Sequence, residues 1–390
     1  MAGRAVVVGA GIGGLAAGAA LARAGWQVSV HDRAPVLDPV GAGISLWPNA
    51  LRALDVLGVG NAVRERSVLG AGTGIRRPDG RWLGRSDVAG ALEARFGDPV
   101  VVLARAELTG LLRELLPSGA LHLGRSVDAV APGDPAGGER AEVLLSDGDR
   151  IGADLVVAAD GIRSRLRSSL FPGHPGPAYA GYTAWRLLAP APAGAQGAET
   201  WGPGGHRFAV VPMAGGRVYC YATATTAAGI TYEDDAAELR SRFGSWHDPI
   251  PEVLAGLRAG DVLHHDVQEL RTPLPCFTSG RVALVGDAAH AMTPEMGQGG
   301  CQALEDAVTL AALTVDGSLP AALERYTGVR LPRTTRIAAR SRSTARLTQA
   351  SGPVGTRLRD LSGRLLGRVP ARVLVRGLAP VVDWCPPGAG

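Results

Sequence analysis

The sequence predicts an α/β protein: a unit built on a parallel sheet, interrupted by an antiparallel sheet and followed by C-terminal helices. Three observations predict it. The apolar run Ala5–Val8 meets a glycine-rich turn and then an alanine-rich helical stretch. Strand-like runs that end on Asp-Gly or Gly-Asp recur near Asp160 and Asp287. Between those two, from Tyr179 to about Leu274, short segments alternate apolar with polar, the period of a half-buried strand.

The first element is "AVVVGAGIGGLAAGAALARAGWQVSVHDR". Ala5–Val8 read as a buried strand, Leu15–Ala24 as a helix and Gln27–His31 as a second strand. Gly9, Gly11 and Gly14 form G-x-G-x-x-G, with Ile12 and Gly13 inside it. Such glycines allow a tight turn, a close backbone approach to a pyrophosphate and close helix–strand packing. The phosphate would sit at the helix N-terminus, where free N–H groups and the dipole favour anions. Asp32 follows Gly14 by 18 residues and closes the second strand, where an acid can bind ribose hydroxyls. Strand, motif, helix, strand and acid together predict a Rossmann-like unit.

The next elements repeat the logic. In "DLVVAADGIRSRLR" (154–167) an apolar strand meets Asp160-Gly161. In "GDAAHAMTPEMGQGGCQALEDA" (286–307) the strand Val282–Val285 ends on Gly286-Asp287, and a helix begins near Gly299. Glycines at that helix start leave room for a ligand across its free N–H groups. A simple nicotinamide dehydrogenase needs neither element. His290 is expected to pack or cap rather than to catalyse.

A chain of 390 residues is long for one core, so two intimate domains are expected. The motifs place residues 1–175 with 275–330 in the nucleotide-binding unit, 176–274 in a sheet domain for substrate, and 331–390 in a helical arm. Every one of the 40 basic residues is arginine, and the net charge of +4 is too mild to imply nucleic acid. Cys220, Cys276, Cys301 and Cys385 lack metal-ligand spacing, so no metal is expected, and they suit a reducing, cytoplasmic compartment. "RAVVVGAGIGG" is not the apolar core of a signal peptide, and no run of 18 apolar residues predicts a membrane span.

In the middle, "GYTAWRLLA", "ETWG", "HRFAVVPM" and "GRVYCYATA" read as strands, and "YEDDAAELRSRFGSW" and "PEVLAGLRA" as helices. In the arm, Arg330–Arg376 hold twelve arginines and one acid, Asp360, while Leu358, Leu361, Leu365 and Val369 recur at near-helical spacing. The expectation is a helix packed by that apolar stripe on the nucleotide-binding unit, its arginines solvated, rather than a peripheral contact with an anionic membrane.

With three separated motifs in this order, the chain resembles the single-component flavin-dependent monooxygenases, the para-hydroxybenzoate hydroxylase-like family, over nearly its whole length. "GAGISLWPNALRALDVLGV" (Gly41–Val59) and "VLARAELTGLL" (Val102–Leu112) resemble it too. Within it, "TPEMGQGGCQALEDAV" is most similar to the branch of urate hydroxylases, 3-hydroxybenzoate 6-hydroxylases and zeaxanthin epoxidases. The resemblance implies non-covalent FAD held by Gly9, Gly11, Ile12, Gly13, Gly14, Asp32, Arg33, Gly43, Arg105, Val127, Asp160, Gly286 and Asp287, and by the loop residues Pro294, Gly297, Gln298, Gly299 and Gly300. It places Asp287 on the ribityl chain, Arg105 near the pyrophosphate, and Pro294–Gly300 beside the isoalloxazine. Asp160 would serve both FAD and NAD(P)H, a transient reductant without its own fold. The implied activity is insertion of one oxygen atom of O2 into an aromatic, heteroaromatic or alkene substrate through a C4a-hydroperoxyflavin.

The resemblance also points to an active-site arginine and tyrosine on neighbouring strands, here Arg207 and Tyr219. The arginine would polarise a carbonyl or hold an anionic ring, and the tyrosine would orient it or relay a proton. An exposed arginine and a packed strand tyrosine remain the alternative. Glu295 stands where urate hydroxylases carry Asp and zeaxanthin epoxidases Asn, and fits either a base paired with Arg207 or a solvated acid. Ala184 replaces a polar contact expected of a urate enzyme, which favours a larger, more apolar substrate. Partners are then a small molecule and O2, and the protein a monomer or homodimer. A flavin oxidase or dehydrogenase without oxygen transfer, or a non-catalytic FAD-binding protein, are the other readings.

Overall fold

The computed structural model describes residues 3–37, 42–66, 68, 73–315 and 317–387; Gly41, which opens one family-like stretch, lies outside them. A six-stranded sheet forms the centre, in the order Thr278–Ser279, Val282–Leu284, Leu155–Ala158, Arg4–Val8, Gln27–Asp32, Leu121–Leu123. All neighbours are parallel except the edge pair that Thr278–Ser279 makes. Covered on both faces, the inner strands are continuous apolar runs: Ala5, Val6, Val7 and Leu155–Ala158 are fully buried.

The chain leaves Arg4–Val8 for Gln27–Asp32 on one side and later returns at Leu155–Ala158 on the other. Such a reversal opens a crevice outside the carboxyl ends of the strands. The turns at Gly9, Asp160 and Gly286 follow three adjacent strands, so motifs far apart in sequence line one crevice. The first helix spans Ile12–Arg23, three residues earlier than its apolar pattern suggests, with Gly11 as its N-cap. It can start there because Gly14 carries no Cβ: one would lie 1.8 Å from the Gly9 carbonyl oxygen.

A seven-stranded sheet holds Val262–Glu269, Ala178–Pro190, Arg217–Thr225, Arg207–Met213, Ala198–Trp201, Thr73–Arg76 and Trp82–Ser86, in that order. Its last two strands come from within residues 1–175, so this sheet draws on more of the chain than the 176–274 segment. The reason is pairing: Thr73–Arg76 runs parallel to Ala198–Trp201 and extends an otherwise open edge. Helices Asp235–Phe243 and Ile250–Ala255 cover one face through Trp185, Leu187, Phe208, Val210, Cys220 and Ala222. Alternation turns Tyr182, Ala184, Arg207, Tyr219, Tyr221 and Thr223 to the opposite face.

The arm departs from expectation in two ways. Residue 331 falls inside one continuous helix, Leu319–Thr348. Some of its arginines also turn inward: Arg330 is fully buried against Glu305 and Asp306, and Arg342 bonds Glu269. In the next helix, Pro353–Leu366, the leucine stripe does not dock. Leu358, Leu361 and Leu365 are exposed, while Arg359, Asp360 and Gly363 face inward. Small and polar residues fit the narrow gap over Leu83 and Trp201, where Gly363 packs, better than leucines do.

Candidate functional site

The crevice is built from backbone first. The Asp32 carboxylate accepts from the amides of Ala10 (2.6 Å) and Ala34 (2.8 Å), so it fastens the glycine turn to the second strand. Arg33 beside it is exposed. Gly11, Ile12, Gly13 and Gly14 lie at the start of the first helix, whose N-terminus has no side-chain cap. Across the crevice, Asp160 takes one bond from the Leu166 amide (3.3 Å), and its buried Oδ1 has no partner.

Gly286 adopts φ 63°, and the helix turn Asp287–His290 follows it. From Arg281 to Thr293 only Asp287 is exposed, its carboxylate turned to the start of the Gly299–Leu313 helix, 4.0 Å from where a Gly299 Cβ would be. That helix also lacks a side-chain cap. Pro294 opens a single 3-10 turn, Gly297 turns with φ 59°, and Gly299 and Gly300 begin the helix. Gln298 is buried; its Oε1 accepts from Asn49 and Gln302, both at 3.0 Å.

Two acids of the same motif fix this loop from below. Asp306 accepts from the Gly286 amide (2.9 Å) and from Arg330 Nε (2.6 Å), and lies 2.6 Å from His290 Nε2. Burial opposes its charge, but His290 and Arg330 overcome that and hold its carboxyl at about 2. Glu305 bonds Asn49 (2.6 Å) and Arg333. His290 is therefore a buried brace. The structural work of Glu305 and Asp306 was not foreseen from sequence; acids at adjacent positions of an otherwise apolar helix were the available signal.

The remaining expected contacts lie on other elements. Arg105 begins the Arg105–Glu114 helix, is exposed, and bonds the Ala42 carbonyl through its amide (2.8 Å). Val127 is buried at the start of the strand Val127–Ala131, in a separate three-stranded sheet. Gly43 passes so close to the Tyr219 ring that a Cβ would lie 2.3 Å from it, which brings the parallel-sheet unit against the antiparallel sheet.

Arg207 and Glu295 meet. Arg207 Nη1 is 3.4 Å from Glu295 Oε1, and both side chains are buried. Arg207 also bonds Glu199 on the neighbouring strand and donates to Thr348 Oγ1 (3.0 Å). Burial works against its charge, and Glu199, Tyr221 and Glu295 hold its pKa above the ordinary value. The Tyr182 hydroxyl donates to Glu295 Oε1, leaving Glu295 Oε2 buried without a partner. Burial first, and the Glu295 charge second, push the Tyr182 phenol well up.

Tyr219 lies on the same sheet face but farther along. Arg207 is in register with Thr223, and Tyr219 with Val211. Tyr221 lies between, its ring 6.0 Å from that of Tyr219. Tyr182, Glu199, Tyr221 and Thr348 are site residues that sequence reasoning missed. Period-two alternation from Arg207 and Tyr219 could have found Tyr221, and from Ala184 it could have found Tyr182. Nothing local points to Thr348.

An open glycine turn, two uncapped helix starts, an exposed Asp287 in a buried segment and an orphaned Asp160 oxygen fit an elongated dinucleotide with both phosphate and hydroxyl groups. Comparisons with known proteins agree. The family described as "FAD binding domain" matches residues 3–341. The chain is 39% identical to an aurachin C monooxygenase/isomerase of Stigmatella aurantiaca, covering 94% of this chain and 96% of that protein. It is 34% identical to a 3-amino-4-hydroxybenzoate 2-monooxygenase of Streptomyces cremeus, covering 88% and 86%. The crystal structure of Klebsiella pneumoniae HpxO complexed with FAD and uric acid superposes with a TM-score of 0.88 at 28% identity, over 97% of this chain and 96% of that one.

Proposed function

The chain belongs to the FAD binding domain family and is an FAD-dependent monooxygenase, and from that premise we propose that it oxygenates an aromatic or heteroaromatic ring whose O–H or N–H is received by Glu295. The observation that supports this reading is the buried, unpartnered Glu295 Oε2. An unsatisfied buried acceptor costs stability unless a ligand donor meets it. Arg207 faces two acids, Glu199 and Glu295, so little of its charge is left for a substrate carboxylate. The site thus favours a neutral donor over an anion, and Ala184, packed with Tyr182 and Val267, leaves an apolar wall beside it.

FAD would rest on the Gly9–Gly14 turn, Asp32, Arg33, Gly43, Arg105, Val127, Asp160 and Gly286-Asp287, with Pro294 and Gly297–Gly300 along its redox end. When bound and reduced by NAD(P)H it supplies activated oxygen. The chain's own residues do the rest. Glu295 accepts the ring proton and raises electron density at the carbon to be attacked. Arg207 and Tyr182 hold Glu295 in place, and Tyr219 and Tyr221 wall the ring. The parallel-sheet unit is the cofactor half, and the antiparallel sheet the substrate half.

A substrate screen tests this. Substrate-stimulated NAD(P)H oxidation with matched product should favour phenols and N–H heteroaromatics. A panel in which only carboxylate-bearing rings without such a donor are oxygenated would overturn it.

A further inference from the structure

We propose that the Pro353–Leu366 helix docks this protein on an anionic lipid surface. Val354, Leu358, Leu361 and Leu365 recur at i, i+4, i+7 and i+11, and are 67%, 60%, 50% and 53% exposed. Leu366 beside them is 42% exposed. Other exposed large hydrophobic residues on the nucleotide-binding unit and the sheet, such as Val36, Val56 and Ile230, stand singly. A continuous apolar face of this size on a helix calls for a partner.

The helix is held with that face outward by its inner side. The Arg359 guanidinium lies 5.5 Å from the centre of the Trp201 ring, and Asp360 is 3.5 Å from Arg77. Gly363 packs so closely that a Cβ there would lie 3.3 Å from Trp201. Rotating the leucines inward would drive them into this contact.

Charge selects the occupant. Arg357, Arg364, Arg368, Arg372 and Arg376 are exposed, and Asp360, the one acid between Arg330 and Arg376, is buried. A second copy related by a two-fold axis would bring arginine rows against each other. Lipid phosphates would neutralise them, while the leucines enter the acyl boundary. No helix among the described residues is long and apolar enough to cross a membrane, so the contact lies in the interfacial plane. Trp201 pairs in register with Arg207, so the docked face is on the substrate-sheet side of the molecule.

Flotation of the FAD-loaded protein with phosphatidylcholine vesicles, with or without phosphatidylglycerol, tests the proposal. Binding should require the anionic lipid and weaken with salt. Leu358→Glu/Leu361→Glu/Leu365→Glu should reduce it by at least about tenfold, with FAD content, near-ultraviolet circular dichroism and turnover of a water-soluble substrate unchanged. Arg357→Ala/Arg364→Ala/Arg368→Ala should reduce it and flatten its salt dependence. Absence of wild-type binding to anionic vesicles, or wild-type binding by the glutamate variant, overturns the proposal. So does a wild-type dimer that the glutamate variant converts to monomer, which would make the face a subunit interface.

Discussion

Arg207 Nη1 lies 3.4 Å from Glu295 Oε1, an ion pair that ties the antiparallel sheet to the loop preceding the Gly299–Leu313 helix. The two residues are 88 positions apart in sequence and both buried. A pair so placed joins the two sheets' halves of the molecule, and under the proposed function it also orients the site. Its removal should therefore be read in catalysis and in stability.

Arg207→Ala should abolish coupled oxygenation and leave NAD(P)H oxidation uncoupled, because lost orientation falls on the chemical step. It strands Glu199 and Glu295 without their cation, so the protein should also lose about 3–5 kcal/mol. Arg207→Lys should recover part of the stability and little of the coupling, since an ammonium cannot reproduce the fork. Product-to-NAD(P)H ratios and denaturant midpoints check both. Wild-type coupling in Arg207→Ala would remove the residue from the mechanism.

Glu295→Gln preserves shape and removes the basic oxygen. A role as proton acceptor predicts a drop in kcat of roughly 10²–10⁴-fold. Tyr182→Phe deletes only the hydroxyl that braces Glu295 Oε1, so it should cost less than about tenfold. Equal effects from the two variants would mean that Glu295 only positions the ring.

The purified protein should be yellow, with FAD released by heat. Asp287 is exposed in the crevice, whereas His290 is buried against Asp306. Asp287→Ala should therefore lower FAD retention with a small change in apoprotein stability. His290→Ala should lower Tm with near-normal FAD per folded chain. Flavin absorbance per protein and calorimetry separate the two, and the reverse pattern would reassign the cofactor ligand.

His31 supplies a pH dependence. Burial first, then the neighbouring His122, Arg125 and Arg4, hold its pKa down at about 4. The unfolded chain protonates it near 6.5, so between those values the unfolded state binds more protons. The associated stability is fully present above about 6.5 and is lost as pH falls towards 4, on the order of 2–3 kcal/mol for this buried ring. The His31 carbonyl accepts from the Gly9 amide (2.8 Å), so the ring lies on the strand that holds the glycine turn. Thermal melts from pH 7.5 to 4.5 should show the slope in the wild type and a shallower one in His31→Gln. Parallel slopes would locate the titration elsewhere.

By itself the sequence determined the nucleotide-binding half. Glycine turns, strand-ending acids and helix starts are local, because each is set by backbone constraints within a few residues. Gly9–Gly14 with Asp32, and Gly286-Asp287 with Gly299, could therefore be read before any tertiary contact was known. It also placed Arg207 and Tyr219 on neighbouring strands, while the register Arg207 to Thr223 and Tyr219 to Val211 put them on one face.

Only the tertiary structure decided what those residues meet. Glu199, Tyr182 and Thr348 reach Arg207 and Glu295 from three different elements, and no spacing encodes such a meeting. It decided that the acids Glu305 and Asp306 brace the start of the Gly299–Leu313 helix through Arg330, an arginine that composition alone places in solvent. It also decided which way the Pro353–Leu366 helix faces. Amphipathic periodicity marks two faces of a helix, but the space over Trp201 and Leu83 selects the side that packs. There the glycine-bearing face fits, and the leucines remain outside.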